Sequence, residues 1–347
     1  MKKQLFPVLF LTLVLLSFAG DKPAYTLFDK EGNNTKYSEM LKALKDADII
    51  FFGELHTDPI AHWMQIELTR DLYEMKKEAL ILGAEMFEAD NQLILDEYLS
   101  GVYPTEKYEA EMRLWKNYVT DYKPLVEFAK DSGIPFVASN IPRRYASVVF
   151  QKGFEALDSL TDEAKKYIAP LPINYDPELK CYKDMLNMGS LVDSKKDDEN
   201  ESMKKQGMPG MPGMEAETQK DDKKKERKKK EKSKKDEPVM GSPVHGSVNS
   251  TISLENLPKA QAVKDATMAH FILENWTEGK TLFHLNGSYH SNNFQGIVWH
   301  LLQENPDLKI ITIATVLQEN IASVSEENMN IADFIICVPE SMTRTSR

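Results

Sequence analysis

The stretch Ala47-Asp48-Ile49-Ile50-Phe51-Phe52-Gly53-Glu54-Leu55-His56-Thr57-Asp58-Pro59 decides the fold. Its first half is a short apolar run rich in isoleucine and phenylalanine, which predicts a strand over Ala47–Phe52. Asp58-Pro59 then opens a helix, an N-cap residue followed by proline at the first helical position. Ile60, Met64, Leu68, Leu72 and Met75 recur at helical spacing, so the helix is predicted to run from Pro59 to Met75. An apolar strand, a polar turn and an amphipathic helix, in that order, form the repeating unit of an α/β fold.

Working outward, the same alternation recurs. Further strands are predicted at Ala79–Met86, Ile134–Ser139, Thr281–Leu285, Lys309–Thr315 and Phe334–Val338. Helical patterns fall at Pro258–Trp276 and Asn293–Gln303, the latter with Phe294, Ile297, Val298, Leu301 and Leu302 on one face. Asp90–Lys130 and Pro142–Tyr182 read as helical throughout. The expectation is therefore an α/β fold: a mostly parallel central sheet flanked by helices, with a helical portion capping one end.

The chain of 347 residues is 41% hydrophobic and carries a formal net charge of −11, which fits a globular protein and disfavours a nucleic-acid binder. No internal apolar run reaches the roughly 20 residues of a membrane span. Two cysteines, Cys181 and Cys337, exclude a disulfide-dense scaffold and a four-cysteine metal site. Met1-Lys2-Lys3, the apolar run Leu5–Leu16 and Ser17-Phe18-Ala19 read as an export signal cut after Ala19, giving residues 1–19. No cysteine follows to carry a lipid, so the expected location is the periplasm or envelope, where the two cysteines have an oxidising environment in which to pair. From 193 to 250 the composition changes. Met208-Pro209-Gly210-Met211-Pro212-Gly213-Met214 is a short repeat, and Lys220–Lys235 holds 11 Lys and Arg against four Asp and Glu. Such a segment buries too little apolar surface to offset its chain entropy, so it reads as an unstructured insertion in one domain made of 20–192 and 251–347.

In an open parallel sheet, ligands bind beyond the carboxyl ends of the strands. The residues there are Gly53-Glu54-Leu55-His56, Glu85-Met86-Phe87-Glu88, Asn140-Ile141-Pro142-Arg143-Arg144 and His284-Leu285-Asn286-Gly287-Ser288-Tyr289-His290. Two are Gly-x-x-His turns that leave a strand and enter a helix. With Glu85 on a third strand, His56 and His290 make a candidate site for iron or a divalent metal. The alternative is that these side chains cap helices and bond loop backbone. His62 sits between the two readings, His270 and His300 read as structural, and His245 lies in the insertion.

These segments, with Gly83-Ala84-Glu85-Met86-Phe87, Ala260-Gln261 and Asp265-Ala266-Thr267-Met268-Ala269, resemble the ChaN family in order and spacing over about 40–335 outside the insertion. That family comprises exported haem-binding proteins linked to bacterial iron acquisition, within the broader Tiki and erythromycin-esterase-like superfamily. The resemblance implies a haem site completed by dimerisation, a tyrosine as iron ligand and a link to outer-membrane uptake machinery. Tyr175 and Tyr182 are the candidates for that ligand, and Arg143 and Arg144 suit haem propionates because a guanidinium matches a carboxylate. It also admits a second function, a metal-dependent hydrolase in which His56, Glu85 and His290 hold the ion and Glu54 activates water.

Overall fold

The computed structural model describes residues 22–186 and 254–345. The predicted export signal at 1–19 and the Met/Lys-rich segment read as an insertion lie outside the described residues. Seven strands form one sheet in the order β1-β7-β6-β2-β5-β3-β4: β1 Thr26–Asp29, β2 Ile49–Glu54, β3 Leu80–Glu88, β4 Phe136–Asn140, β5 Thr281–Gly287, β6 Ile310–Gln318 and β7 Phe334–Pro339. All neighbours run parallel except β1, which pairs antiparallel with β7 at the edge. The α/β class and the mostly parallel sheet are those the strand–helix alternation predicts.

Buried parallel strands carry apolar residues on both faces, which is why the central strands stand out as continuous runs. Every residue of β2 and β3 is buried. Helices cover both faces. On one, α1 (Tyr37–Leu44) and α2 (Pro59–Lys76) turn Met40, Leu44, Met64, Leu68 and Leu72 onto Phe52, Leu82 and Phe283. Burying a side chain of that size contributes about 1.5–3 kcal/mol. The same cluster continues into α3 (Gln92–Leu99), α4 (Thr105–Glu111), α5 (Tyr118–Asp121) and α6 (Lys123–Ser132). On the opposite face lie α7 (Arg143–Lys152), α8 (Asp162–Lys165), a helical stretch at 180–186 (α9), α10 (Leu257–Asn275) and α11 (Ile297–Glu304). There Met268, Ile272, Ile297 and Leu301 pack on Ile49, Phe51 and Leu282.

Three expectations are corrected. The predicted helix at 293–303 begins only at Ile297, because Asn293, Phe294 and Gly296 take positive φ values of 60°, 57° and 58°. Phe294 is consequently exposed rather than on the buried face. The stretch 90–130 is four helices, broken at Ser100–Pro104 and again between Glu111 and Tyr118. The stretch 142–182 is helical only in parts, since Pro170, Pro172 and Pro177 fall in the irregular chain between α8 and α9. No described helix is long and apolar enough to cross a membrane.

Candidate functional site

The register of the sheet sets Glu54 of β2 beside Gly287 of β5, while β3 slips against β4 between Ala84 and Glu88. Glu54, His56, Glu85 and His290, far apart in sequence, thereby meet at one sheet edge in two linked halves.

The first half centres on Glu54, which is buried. Its Oε1 accepts from the Tyr122 hydroxyl at 2.6 Å and from His56 Nδ1 at 2.9 Å, and its Oε2 accepts from Gln65 Nε2 at 2.5 Å. Burial favours the neutral acid, but the His62 and His56 imidazoles and the Tyr122 hydroxyl outweigh it and hold the carboxyl below its ordinary range. His62 lies 3.7 Å from Glu54 Oε2 and 3.3 Å from Asp121 Oδ2. Burial lowers its pKa, yet those carboxylates raise it overall. Because a carboxylate only accepts, His56 donates to Glu54 through Nδ1 and turns Nε2 away from it. That Nε2 is buried without a partner, and the ring sits edge-on to Trp115 at 4.9 Å. The carbonyl of His56 is held by Asn117 Nδ2 at 2.9 Å. From the C-terminal segment, Arg344 pairs with Asp58 at 2.8 Å and Thr345 with Asp121 at 2.9 Å, fixing the turn from outside.

The second half is a chain of alternating charge. Glu85 Oε2 accepts from the Gly287 amide at 2.7 Å, and Oε1 lies 3.2 Å from His290 Nε2. His290 Nδ1 in turn donates to Asp265, whose other oxygen accepts from the Tyr182 hydroxyl at 2.9 Å. Burial would discharge His290, but Glu85 and Asp265 raise its pKa to about 9, so it stands as an imidazolium. Glu85 is held well below the usual carboxylate range by His290 against the opposing effect of burial. The halves meet at Gly287, where an added Cβ would lie 2.8 Å from His56 Cε1 and Nε2 and 3.4 Å from Glu85 Oε2. Only glycine fits there. The third histidine of this edge, His284, hydrogen-bonds Ser139 at 2.7 Å and is pushed down to about 4 by burial, so it is neutral.

A small cleft with about 20 Å³ of room opens beside Glu85, lined by Glu88, Trp115, Asn140, Arg143 and Lys264. Arg143 stands at its rim, half exposed, 4.0 Å from Glu88. Arg144 points elsewhere, onto Asp90 at 2.6 Å and over the Tyr145 ring. Of the two candidate tyrosines, Tyr182 is fully buried and turned inward, while Tyr175 is half-buried against Phe154 and Tyr182. Cys181 and Cys337 are both buried free thiols in separate clusters, so the pair is not bridged. Among the described residues, no group of three or more His, Cys, Asp or Glu has the geometry to hold a metal ion.

Sequence reasoning gave no role to Asp265, Gln261, Lys264, Tyr122 or Gln65. Gln261 lies across the His290 ring at 3.0 and 3.1 Å, and Lys264 has its pKa lowered by burial against the pull of Glu85 and Asp265. A signal was present for two of them: Gln261 and Asp265, four residues apart, share one face of a helix otherwise rich in alanine. Tyr122 gave none, since 68 residues separate it from Glu54.

This sheet with its paired histidine turns defines a fold class shared with known proteins, and the sequence then assigns the family. The chain belongs to the haem-binding uptake family of the Tiki superfamily, ChaN, whose model matches residues 40–301. The structure is similar to one described as cofacial heme binding to ChaN of Campylobacter jejuni, at 15% identity and a TM-score of 0.56, covering 93% of this chain and 97% of that one. At that identity the likeness shows the fold. A weaker similarity links it to the erythromycin esterase EreC in its open conformation, at 12% identity and a TM-score of 0.42, covering 92% and 99% of the two chains. No curated protein matches the chain by sequence.

Proposed function

We propose that this chain is an exported haem-binding protein of iron acquisition. The observation that carries the reading is the family match across 40–301, which contains Glu54, His56, Glu85 and His290 and most of the core. The strand-edge cluster itself does not seat a porphyrin. Both ring nitrogens of His290 already face carboxylates, and the open nitrogen of His56 lies buried against Trp115. The adjoining cleft, with about 20 Å³ of room, is far smaller than the about 300–1,000 Å³ typical of small-molecule sites. The haem is therefore held elsewhere, and the buried cluster organises the sheet edge. When bound, haem would supply an iron that accepts a ligand from the protein. A second copy and envelope uptake machinery are the partners this reading adds.

Protein isolated from haem-supplemented cells should carry bound haem, measured by absorption after extraction. Haem-free protein under those conditions counts against the reading. For export, N-terminal sequencing of the envelope fraction should find Gly20 first. Intact Met1 on the main species would contradict it.

One observation favours hydrolysis as a second reading. Glu54 holds His56 through Nδ1 and leaves Nε2 without a partner, an orientation of the kind used by a histidine general base. An ester-hydrolysis assay on the wild type and His56→Ala decides it: loss in the variant supports this reading, and no activity in either removes it.

A further inference from the structure

The small cleft beside Glu85 carries more positive charge than its walls neutralise. Glu85 is matched by the His290 imidazolium at 3.2 Å, and Glu88 by Arg113 at 2.9 Å. Two further cations line the same cleft, Arg143 from the first turn of α7 and Lys264 from the middle of α10. Arg143 comes only to 4.0 Å from Glu88, which Arg113 already holds, and its side chain is 55% exposed. Among the described residues, Lys264 makes no hydrogen bond or close ion pair, although it is set deep enough for burial to lower its pKa. An ammonium drawn out of water without a partner is costly, so its place in the lining calls for a counter-charge. The positive end of the α7 dipole, at Arg143, adds to the two cations. One acceptor of the lining is also unanswered: Asn140 Oδ1 is buried without a partner.

We infer that this cleft binds the head of a short 2-hydroxy carboxylate, with the carboxylate between Lys264 and Arg143 and the hydroxyl donating to Asn140. The room of about 20 Å³ compares with the about 10–15 Å³ that one water needs. It therefore admits the oxygens of a planar carboxylate, while the rest of the ligand lies along the open rim at Arg143. A guanidinium matches a carboxylate in shape, and the ammonium supplies a point charge from the floor. A tetrahedral phosphate needs more room and would bring a second negative charge towards Glu85 and Glu88. The site is separate from the haem reading, since no porphyrin enters a cleft of this size.

Saturation-transfer NMR on the full chain tests the assignment with glycolate, its neutral amide glycolamide, and acetate, which lacks the hydroxyl. Wild type should bind glycolate with a Kd on the order of 1–10 mM, as suits so small a ligand. Glycolamide should bind at least about tenfold more weakly, and acetate about threefold more weakly. Lys264→Met keeps the length of the side chain without its charge and should lose at least about tenfold in glycolate binding, with Arg143→Met losing less. Thermal melts confirm folding. Lys264 has no close partner to lose, and Arg143→Met, at a half-exposed position, carries the test if Lys264→Met does not fold. Equal binding of glycolate and glycolamide, or an unchanged Kd in the folded variants, overturns the site. So does no response to glycolate up to about 100 mM. Equal binding of acetate and glycolate overturns the contact to Asn140. Wild type that binds haemin but not glycolate overturns this site alone, and the reverse result overturns the haem reading alone.

Discussion

His290 carries a proton because two carboxylates face it, and that couples stability to pH. Its folded pKa of about 9 exceeds the ordinary 6.5, so the stabilisation is complete below about 6.5 and is lost as pH rises through 9. Glu54 and Glu85 are shifted down, so their contribution is present above 4.5 and is lost on acidification. Melts from pH 6 to 10 should therefore show the midpoint falling on the alkaline side, by a few kcal/mol of stability. His290→Gln should lack the inflection near 9; parallel curves for the two proteins would refute the assignment. At this scale the sequence was partly legible. The four residues expected to meet do meet, because each lies at or just past the carboxyl end of a strand and parallel strands end on one edge. Their partners were hidden because hydrogen bonds such as Tyr122 to Glu54 depend on how distant helices dock.

Among the elements, α9 is tied to the buried charges of α10. Tyr182 reaches Asp265 with its hydroxyl, and the Cys181 amide donates to Gln295 at 2.8 Å. Tyr182→Phe removes a hydrogen bond to a charged acceptor, worth about 1.5–3 kcal/mol, while keeping the ring packed. Urea denaturation should show a loss of that size; an unchanged midpoint would mean the contact is idle. The central strands were readable because burial on both faces leaves unbroken apolar runs. Strand β1 was not, since it has only four residues, pairs antiparallel at the edge, and has just two of them fully buried. The start of α11 was misread because apolar spacing continues through Phe294, although the backbone there is left-handed and cannot be helical.

Across the whole molecule, one sheet organises both halves of the chain: β1–β4 come before the Met/Lys-rich segment and β5–β7 after it. The composition of residues 193–250 offers no apolar periodicity. Deleting them should shift the melting midpoint by no more than a few degrees, where about 1 kcal/mol moves a domain of this size by about 2–4 °C. A drop of roughly ten degrees or more would show that the segment packs on the core. The most direct test of the account is equilibrium titration of haemin into the wild-type full chain, read by absorption and tryptophan fluorescence. The account predicts a saturable Soret shift with whole-number stoichiometry and a Kd below about 1 μM, or about 8 kcal/mol of binding. A spectrum that stays superimposable on free haemin at every protein concentration would contradict it.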